Sequence, residues 1–184
     1  MGLLFWVVVG AAAVYAVLQY NGLVRLRNGS EGAWSDIDVQ LKRRYELIPN
    51  LVETVKGFAT HERETFEEVT RARSSAMSAH GVGQQASAEG GLSRALASLF
   101  AVAEAYPELK SNENFLSLQS ELSGLEDAIQ NARRYYNAIV RDLNTRVESF
   151  PSNLVANVFS FAKKEYFELD APAERIAPKV SFSE

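Results

Sequence analysis

The sequence predicts an all-α protein, in which an N-terminal transmembrane helix continues into a long kinked helix within an antiparallel three-helix, coiled-coil-like bundle. Three observations support this fold class. Residues Gly2 to Tyr20 form an uncharged apolar run, apolar residues then recur in alternating steps of three and four, and no segment requires a β-strand. With 47% hydrophobic and 23% charged residues, the composition is that of an ordinary globular chain.

The 184 residues divide into three predicted regions. We expect a transmembrane anchor at 1–24, a helical bundle at 25–167 and an extended C-terminal tail at 168–184. The tail contains Pro172 and Pro178, which disfavour a helix there.

The apolar run is long enough to cross a membrane, because about 19 residues at roughly 1.5 Å each cover the hydrocarbon core of a bilayer. A cleaved signal peptide is the alternative, but no Lys or Arg precedes the run. We expect Arg25 and Arg27 to reach from the end of the anchor to the lipid–water interface. The predicted membrane-anchor side chains are Leu3, Leu4, Phe5, Trp6, Val7, Val8, Val9, Val14, Tyr15, Val17 and Leu18.

Basic residues follow the apolar run and none precedes it. The positive-inside rule therefore predicts a single-pass protein with its N-terminus outside and its bundle in the cytoplasm. The basic cluster Lys42-Arg43-Arg44 lies about 25 to 35 Å beyond the anchor if the helix stands upright. Bundle surface is favoured over lipid contact for this cluster.

The first helix of the bundle is predicted to pass through a proline. Leu41, Ile48 and Val55 are seven residues apart and lie on both sides of Pro49. Because the apolar phase survives the proline, we predict one bent helix from the membrane to about Ser75, with the kink at Pro49.

Two further helices follow. The segment Ser78 to Gly91 is rich in glycine and small polar residues and is predicted to be a flexible loop. A second helix then ends before Pro107, and a third extends from Phe115 to Val147 with Ser111 or Asn112 as its cap. An up-down-up bundle would bury all three apolar stripes. The short segment from Asn153 to Phe167 has the composition of a membrane interface or a partner groove, but packing over the distal end of the bundle is favoured.

No catalytic, cofactor or metal site is predicted. The sequence HERET at His61 to Thr65 lacks the second histidine of a zinc-protease motif. The absence of cysteine excludes thiol catalysis and thiolate metal sites. A net charge of −4 excludes a general basic field for nucleic acid. We therefore predict a protein without enzymatic activity, cofactor, nucleic-acid partner or small-molecule substrate.

Four blocks of the sequence resemble the LemA family. They are YNGLVRLRN, AWSDIDVQLKRRYELIPNLVETVKGFATHE, LFAVAEAYPELKSNENFLSLQSEL and ARRYYNAIVRDLNTRVESFPSNLVANVFSF. The resemblance implies a bacterial inner-membrane protein with an N-terminal membrane helix and a cytosolic helical bundle. It supplies no catalytic residues, and a magnetosome-associated branch of the family is linked to membrane biogenesis.

Two functions follow as hypotheses. The first is a membrane-anchored, non-enzymatic scaffold that self-associates, as a homo-oligomer on the lipid bilayer, to organise or shape the bacterial inner membrane. The second is an adaptor whose bundle docks another membrane protein, such as a protease or sensor kinase. The side chains predicted to contact another copy or a partner are Leu47, Leu51, Leu154, Val155, Val158, Phe159 and Phe161.

Overall fold

A computed structural model describes residues 1–168, and each regular element in that range is an α-helix. The helices are α1 (Gly2–Lys56), α2 (Arg63–Met77), α3 (Val82–Glu104), α4 (Pro107–Lys110), α5 (Glu113–Glu148) and α6 (Ser152–Val158). Residues 161–168 follow α6 without regular secondary structure. The predicted all-α class is confirmed for this part of the chain. Apart from Glu168, the predicted tail at 168–184 lies outside the described residues.

The chain forms two compact units. The first contains Met1–Arg44 and Glu121–Phe167, and the second is built on Tyr45–Ser120. Helices α1 and α5 each contribute residues to both units.

Helix α1 continues through Pro49, as the apolar phase predicts. The proline side chain is exposed, whereas Ile48 and Leu51 beside it are buried in the second unit. Burial of the neighbouring apolar side chains offsets the backbone hydrogen bond that the proline cannot make. The kink at Pro49 remains a prediction.

The predicted continuation of this helix to Ser75 is wrong. Helix α1 ends at Lys56, and α2 begins only at Arg63. Gly57, a poor helix former, starts the interruption. Ala59 lies within the break and Phe66 lies in α2, yet both side chains are buried. Their spacing of seven matches a continuous helix, which is why the sequence pattern hides the interruption.

In the first unit, α5 packs antiparallel to α1. Arg44 forms an ion pair with Glu126 at 3.1 Å, and the Trp34 and Tyr136 rings lie 5.6 Å apart. Nearer the N-terminus, Gly29 faces Ile139 and Gly22 faces the Arg146 guanidinium. Residues later in α5 therefore contact residues earlier in α1. The up-down-up prediction makes the first and last long helices parallel, and it is wrong. The chain turns back after Lys56, which the prediction did not include, so α5 runs opposite to α1.

The predicted loop from Ser78 to Gly91 is also wrong for most of its length, since α3 begins at Val82. The buried face of α3 keeps alternating steps of three and four, but its first two members are polar. This face consists of Gln85, Glu89, Leu92, Leu96, Leu99 and Ala103.

Gln85 and Glu89 take part in a buried polar cluster of the second unit. Tyr45 donates its hydroxyl hydrogen bond to Glu89, and the Gln85 amide lies 2.8 Å from that hydroxyl. Gln85 also donates to the carbonyl of Ala76 at 3.2 Å, and Arg73 donates to the carbonyl of Tyr45 at 2.7 Å. These bonds connect residues of α1, α2 and α3 and satisfy polar groups that would otherwise be costly to bury.

The ends of the later helices agree with their sequence signals. Pro107 occupies the first turn of α4, where its missing N–H is tolerated. The side chain of Asn112 accepts a hydrogen bond from the backbone of Phe115 at 3.0 Å and so caps α5. Of the two predicted caps, Asn112 is the one that caps this helix.

Candidate functional site

The first part of α1 exposes an apolar surface of membrane-spanning length. All eleven predicted anchor side chains are exposed, including Trp6 at 70% and Val8 at 59%. Among residues 1–168, α1 is the one helix long and apolar enough to cross a membrane, and its most apolar stretch has no residue buried within the chain. Signal sequences share this length and composition. The uncovered surface indicates membrane anchoring, because such patches are rare on chains surrounded only by water.

Basic side chains follow this surface in the first unit. Arg25 and Arg27 are exposed, which permits the predicted contact with the lipid–water interface. The Arg27 guanidinium also lies 5.3 Å from the centre of the Phe161 ring. Arg27 is therefore held by a cation–π contact.

Helix α6 packs beside the apolar part of α1. The Tyr20 ring lies 4.7 Å from the Phe159 ring and 5.8 Å from the Phe161 ring. Leu23 of α1 and Val155 of α6 share a buried cluster with Leu143, Ala156 and Phe161. The predicted position of this segment, at the end of the bundle far from the anchor, is therefore wrong. The antiparallel direction of α5 returns the chain to the level of the anchor.

A cleft lies between α6 and the turns of α1 that come before Tyr20. It has a volume of about 320 Å³ and is lined by Ala12, Tyr15, Ala16, Pro151, Leu154 and Val155. Three of its lining residues belong to the predicted transmembrane anchor. The cleft thus places the start of α6 alongside the apolar run.

Residues 161–168, which we call the return segment, are bound by two asparagines of α5. Asn144 accepts a hydrogen bond from the N–H of Lys164 and donates one to its carbonyl, both at 2.9 Å. Asn137 makes the same pair of bonds with Phe167, at 2.8 and 3.1 Å. Seven helical residues cover about 10.5 Å, and three extended residues cover about 10 Å. The two spacings match, so the return segment lies antiparallel along α5.

Side chains reinforce this backbone pairing. Phe167 is only 1% exposed, with the Trp34 ring 5.8 Å away and the Arg133 guanidinium 4.8 Å from the centre of its own ring. The Tyr136 hydroxyl donates a hydrogen bond to the carbonyl of Glu165 at 3.0 Å. Burial, and secondarily the charge of Glu165, raises the pKa of Tyr136.

The seven predicted contact residues differ in accessibility. Leu51 is fully buried, and Val155 and Phe161 are 8% and 9% exposed, so packing within the chain accounts for these three. A contact role for them does not fit their burial. Leu47 is half-buried, and the exposed remainder is Leu154, Val158 and Phe159.

Two residues of the basic cluster Lys42-Arg43-Arg44 lie in different environments. Lys42 is exposed and pairs with Asp38 at 2.7 Å. Arg44 is 5% exposed and lies beside Glu126. The preference for a bundle surface therefore fits Lys42, whereas Arg44 belongs to the packing between α1 and α5.

Metal-ligating side chains do not converge within residues 1–168, since no group of three or more His, Asp or Glu residues could hold an ion there. His61 is exposed. The features found in this part of the chain are an uncovered apolar surface suited to a membrane and two asparagines that bind the chain's own backbone.

Comparison with known proteins identifies the family. The family model described as "LemA family" matches residues 33–182, which is most of the chain. The chain belongs to the LemA family.

Individual relatives are more distant. Protein LemA of Metamycoplasma hominis is 28% identical over 182 residues, covering 95% of this chain and 83% of the relative. Magnetosome protein MamQ 2 of Paramagnetospirillum magneticum is 26% identical over 178 residues. Magnetosome protein MamQ of Magnetospirillum gryphiswaldense is 24% identical over 177 residues. The alignments with these two proteins cover 83% and 82% of this chain and 65% of each relative.

Sequence reasoning missed the asparagine pairs of this LemA-family chain. Asn137 and Asn144 are seven residues apart in a helix, next to the core residues Tyr136 and Leu143. The signal in the sequence was that two polar side chains repeat with the same seven-residue period as the buried residues beside them, which indicates a shared partner along the helix.

Removing one asparagine should release part of the return segment. Asn144→Ala deletes both bonds to Lys164, each worth about 1 kcal/mol. Hydrogen exchange at the Lys164 amide should then accelerate about tenfold or more. Asn157→Ala is the matched control, because the Asn157 side chain is exposed on α6. Unchanged exchange at Lys164 in the Asn144 variant would contradict the pairing.

Tyr136 should make stability depend on alkaline pH. Its pKa is raised in the folded chain, so above its ordinary value of 10.0 the unfolded state loses the phenol proton first. The stabilisation is complete below that pH and is lost as pH rises through the folded pKa.

Tyr136→Phe removes this ionisation together with the bond to Glu165. In denaturant titrations in detergent, the variant should be about 1 kcal/mol less stable at neutral pH. The deficit should shrink as pH rises above 10, the ordinary pKa. A deficit that stays constant across that range would argue against the assignment.

Proposed function

We propose that this LemA-family protein is a membrane-anchored, non-enzymatic scaffold whose copies self-associate to organise or shape the bacterial inner membrane. The observation that carries the proposal is the unbroken course of α1 from its uncovered apolar surface into the packed first unit. A continuous helix transmits the orientation of the folded part to the anchor without a flexible linker. Crowding of copies would therefore constrain their anchors and the surrounding lipid.

The first unit also carries exposed apolar side chains outside the anchor. Val39 of α1 is 45% exposed and Tyr135 of α5 is 61% exposed, and we place contacts between copies at such positions. Two relatives are named magnetosome proteins, and the link of that branch of the family to membrane biogenesis supports a role at a membrane. The basic residues after the anchor support an orientation with the N-terminus outside and the folded units in the cytoplasm.

An adaptor function is the second candidate, favoured by a groove in the second unit. The groove has a volume of about 780 Å³ and is lined by Lys56, Thr60, Arg63, Phe66, Glu67, Thr70, Arg71 and Ser74. It combines the Phe66 ring with three basic side chains and with Glu67, which pairs with Arg63 at 2.8 Å. This lining suits a segment of another membrane protein that carries both apolar and charged side chains.

Mass measurement of the full-length protein in lipid nanodiscs tests the scaffold. We expect oligomers whose share rises with protein density, and a smaller share for Val39→Lys because it places charge at an exposed apolar position. Asn28→Lys adds the same charge at an exposed polar position of α1 and should leave assembly unchanged. A protein that is monomeric at every density would overturn the scaffold. A stoichiometric foreign protein cross-linked through Thr70 would then support the adaptor.

A further inference from the structure

We propose that the uncharged loop, residues 149–162 including α6, enters the lipid leaflet beside the anchor and forms a second, shallow membrane contact. The proposal rests on membrane anchoring by α1, which belongs to the proposed function. It assigns lipid acyl chains as the partner of a surface formed by Phe150, Leu154, Val158 and Phe159.

The first argument is the level at which α6 lies. Leu154 shares its cleft with Tyr15 and Ala16 of the anchor. If the apolar run leaves the hydrocarbon at Tyr20, then Tyr15 lies about 8 Å inside it. Helices that bind in a membrane interface bury their apolar side by about 5–10 Å. The start of α6 is therefore at the depth expected for such an element.

The second argument is that α6 carries large apolar side chains on both sides. Its inner side, with Val155 and Ala156, is buried against α1 and α5. Its outer side exposes Leu154 at 57% and Val158 at 76%, which are one helical turn apart, and Asn157 is the polar residue exposed with them. A surface helix in water normally carries polar residues on the outer side. Here the outer side continues the apolar surface of the anchor.

The third argument concerns charge. Residues 149–162 contain no Asp, Glu, Lys or Arg. The charged residues at the two ends of this loop, Glu148 and Lys163, pair with each other at 2.7 Å. The ion pair closes the base of the loop, and Arg25 and Arg27 are exposed further along α1, where anionic headgroups would meet them.

The fourth argument is that the loop satisfies much of its own backbone. Asn153 and Leu154 donate to the carbonyls of Ser149 and Pro151, at 2.8 and 3.2 Å. Ser160 and Phe161 donate to carbonyls of α6, at 3.3 and 2.9 Å. Pro151 has no N–H to satisfy. Each unpaired backbone polar group is costly in hydrocarbon, so this internal pairing lowers the cost of a shallow insertion.

A second copy of the chain is the competing partner for this surface. Lipid is favoured because the exposed side of α6 lies beside anchor residues that lipid must already surround. A copy seated there would have to displace lipid from the same turns of α1.

Site-specific fluorophores on single cysteines test the proposal, since the natural sequence contains none. The full-length variants Leu154→Cys and Val158→Cys are placed in vesicles of phosphatidylethanolamine and phosphatidylglycerol. Val8→Cys reports on the anchor, and Leu116→Cys, at an exposed apolar position of the second unit, is the matched control. Circular dichroism verifies that each variant keeps its helix content.

We expect labels at Leu154 and Val158 to be quenched by brominated lipid, as at Val8. Their quenching constants with aqueous iodide should be severalfold lower than at Leu116. If both behave like Leu116 while Val8 reports hydrocarbon, the loop lies outside the membrane and the proposal is overturned. Shielding from both quenchers that disappears on dilution with lipid would assign the surface to a second copy and also overturn it. A label at Val8 that is not quenched by lipid would overturn the anchoring itself, and the loop contact with it.

Discussion

The antiparallel packing of α5 against α1 is the constraint on which the first unit depends. Arg44 with Glu126 marks one end of this pairing, and Gly22 with Arg146 marks the other. Because α5 runs back along α1, the residues that follow it lie near the start of the chain. Both the position of α6 beside the anchor and the binding surface of the return segment are consequences of this direction.

Local patterns predicted the helices better than their ends and directions. The apolar run, the apolar stripe on both sides of Pro49 and the cap at Asn112 are local features. The structure confirms that the first two lie in one helix and that Asn112 caps α5. The break after Lys56 was hidden because buried side chains kept a helical spacing across non-helical backbone. The start of α3 was hidden because Gln85 and Glu89 carry its inward side, and buried polar residues look like loop residues in a sequence.

The asparagine pairs could not be predicted from local pattern alone, because their partners lie 20 and 30 residues away. An Asn side chain offers one acceptor and two donors, so it can bind both backbone groups of an extended residue. Such pairing recognises backbone rather than side-chain identity, and Phe167 adds the side-chain contact that fixes the register. The return segment thus ties the end of the first unit to both of its long helices.

The direction of α5 is tested most directly by cross-linking Tyr20→Cys to Phe159→Cys, at positions whose native rings lie 4.7 Å apart. A short bismaleimide, which bridges two thiols that are near each other but not in disulfide geometry, should link the two cysteines within one chain of the full-length double variant at high yield. The matched pair Val39→Cys with Phe159→Cys should give no link, because Val39 lies about 28 Å further along α1. A Tyr20 pair that stays unlinked, together with a Val39 pair that is linked, would contradict the antiparallel return and the position of α6 beside the anchor.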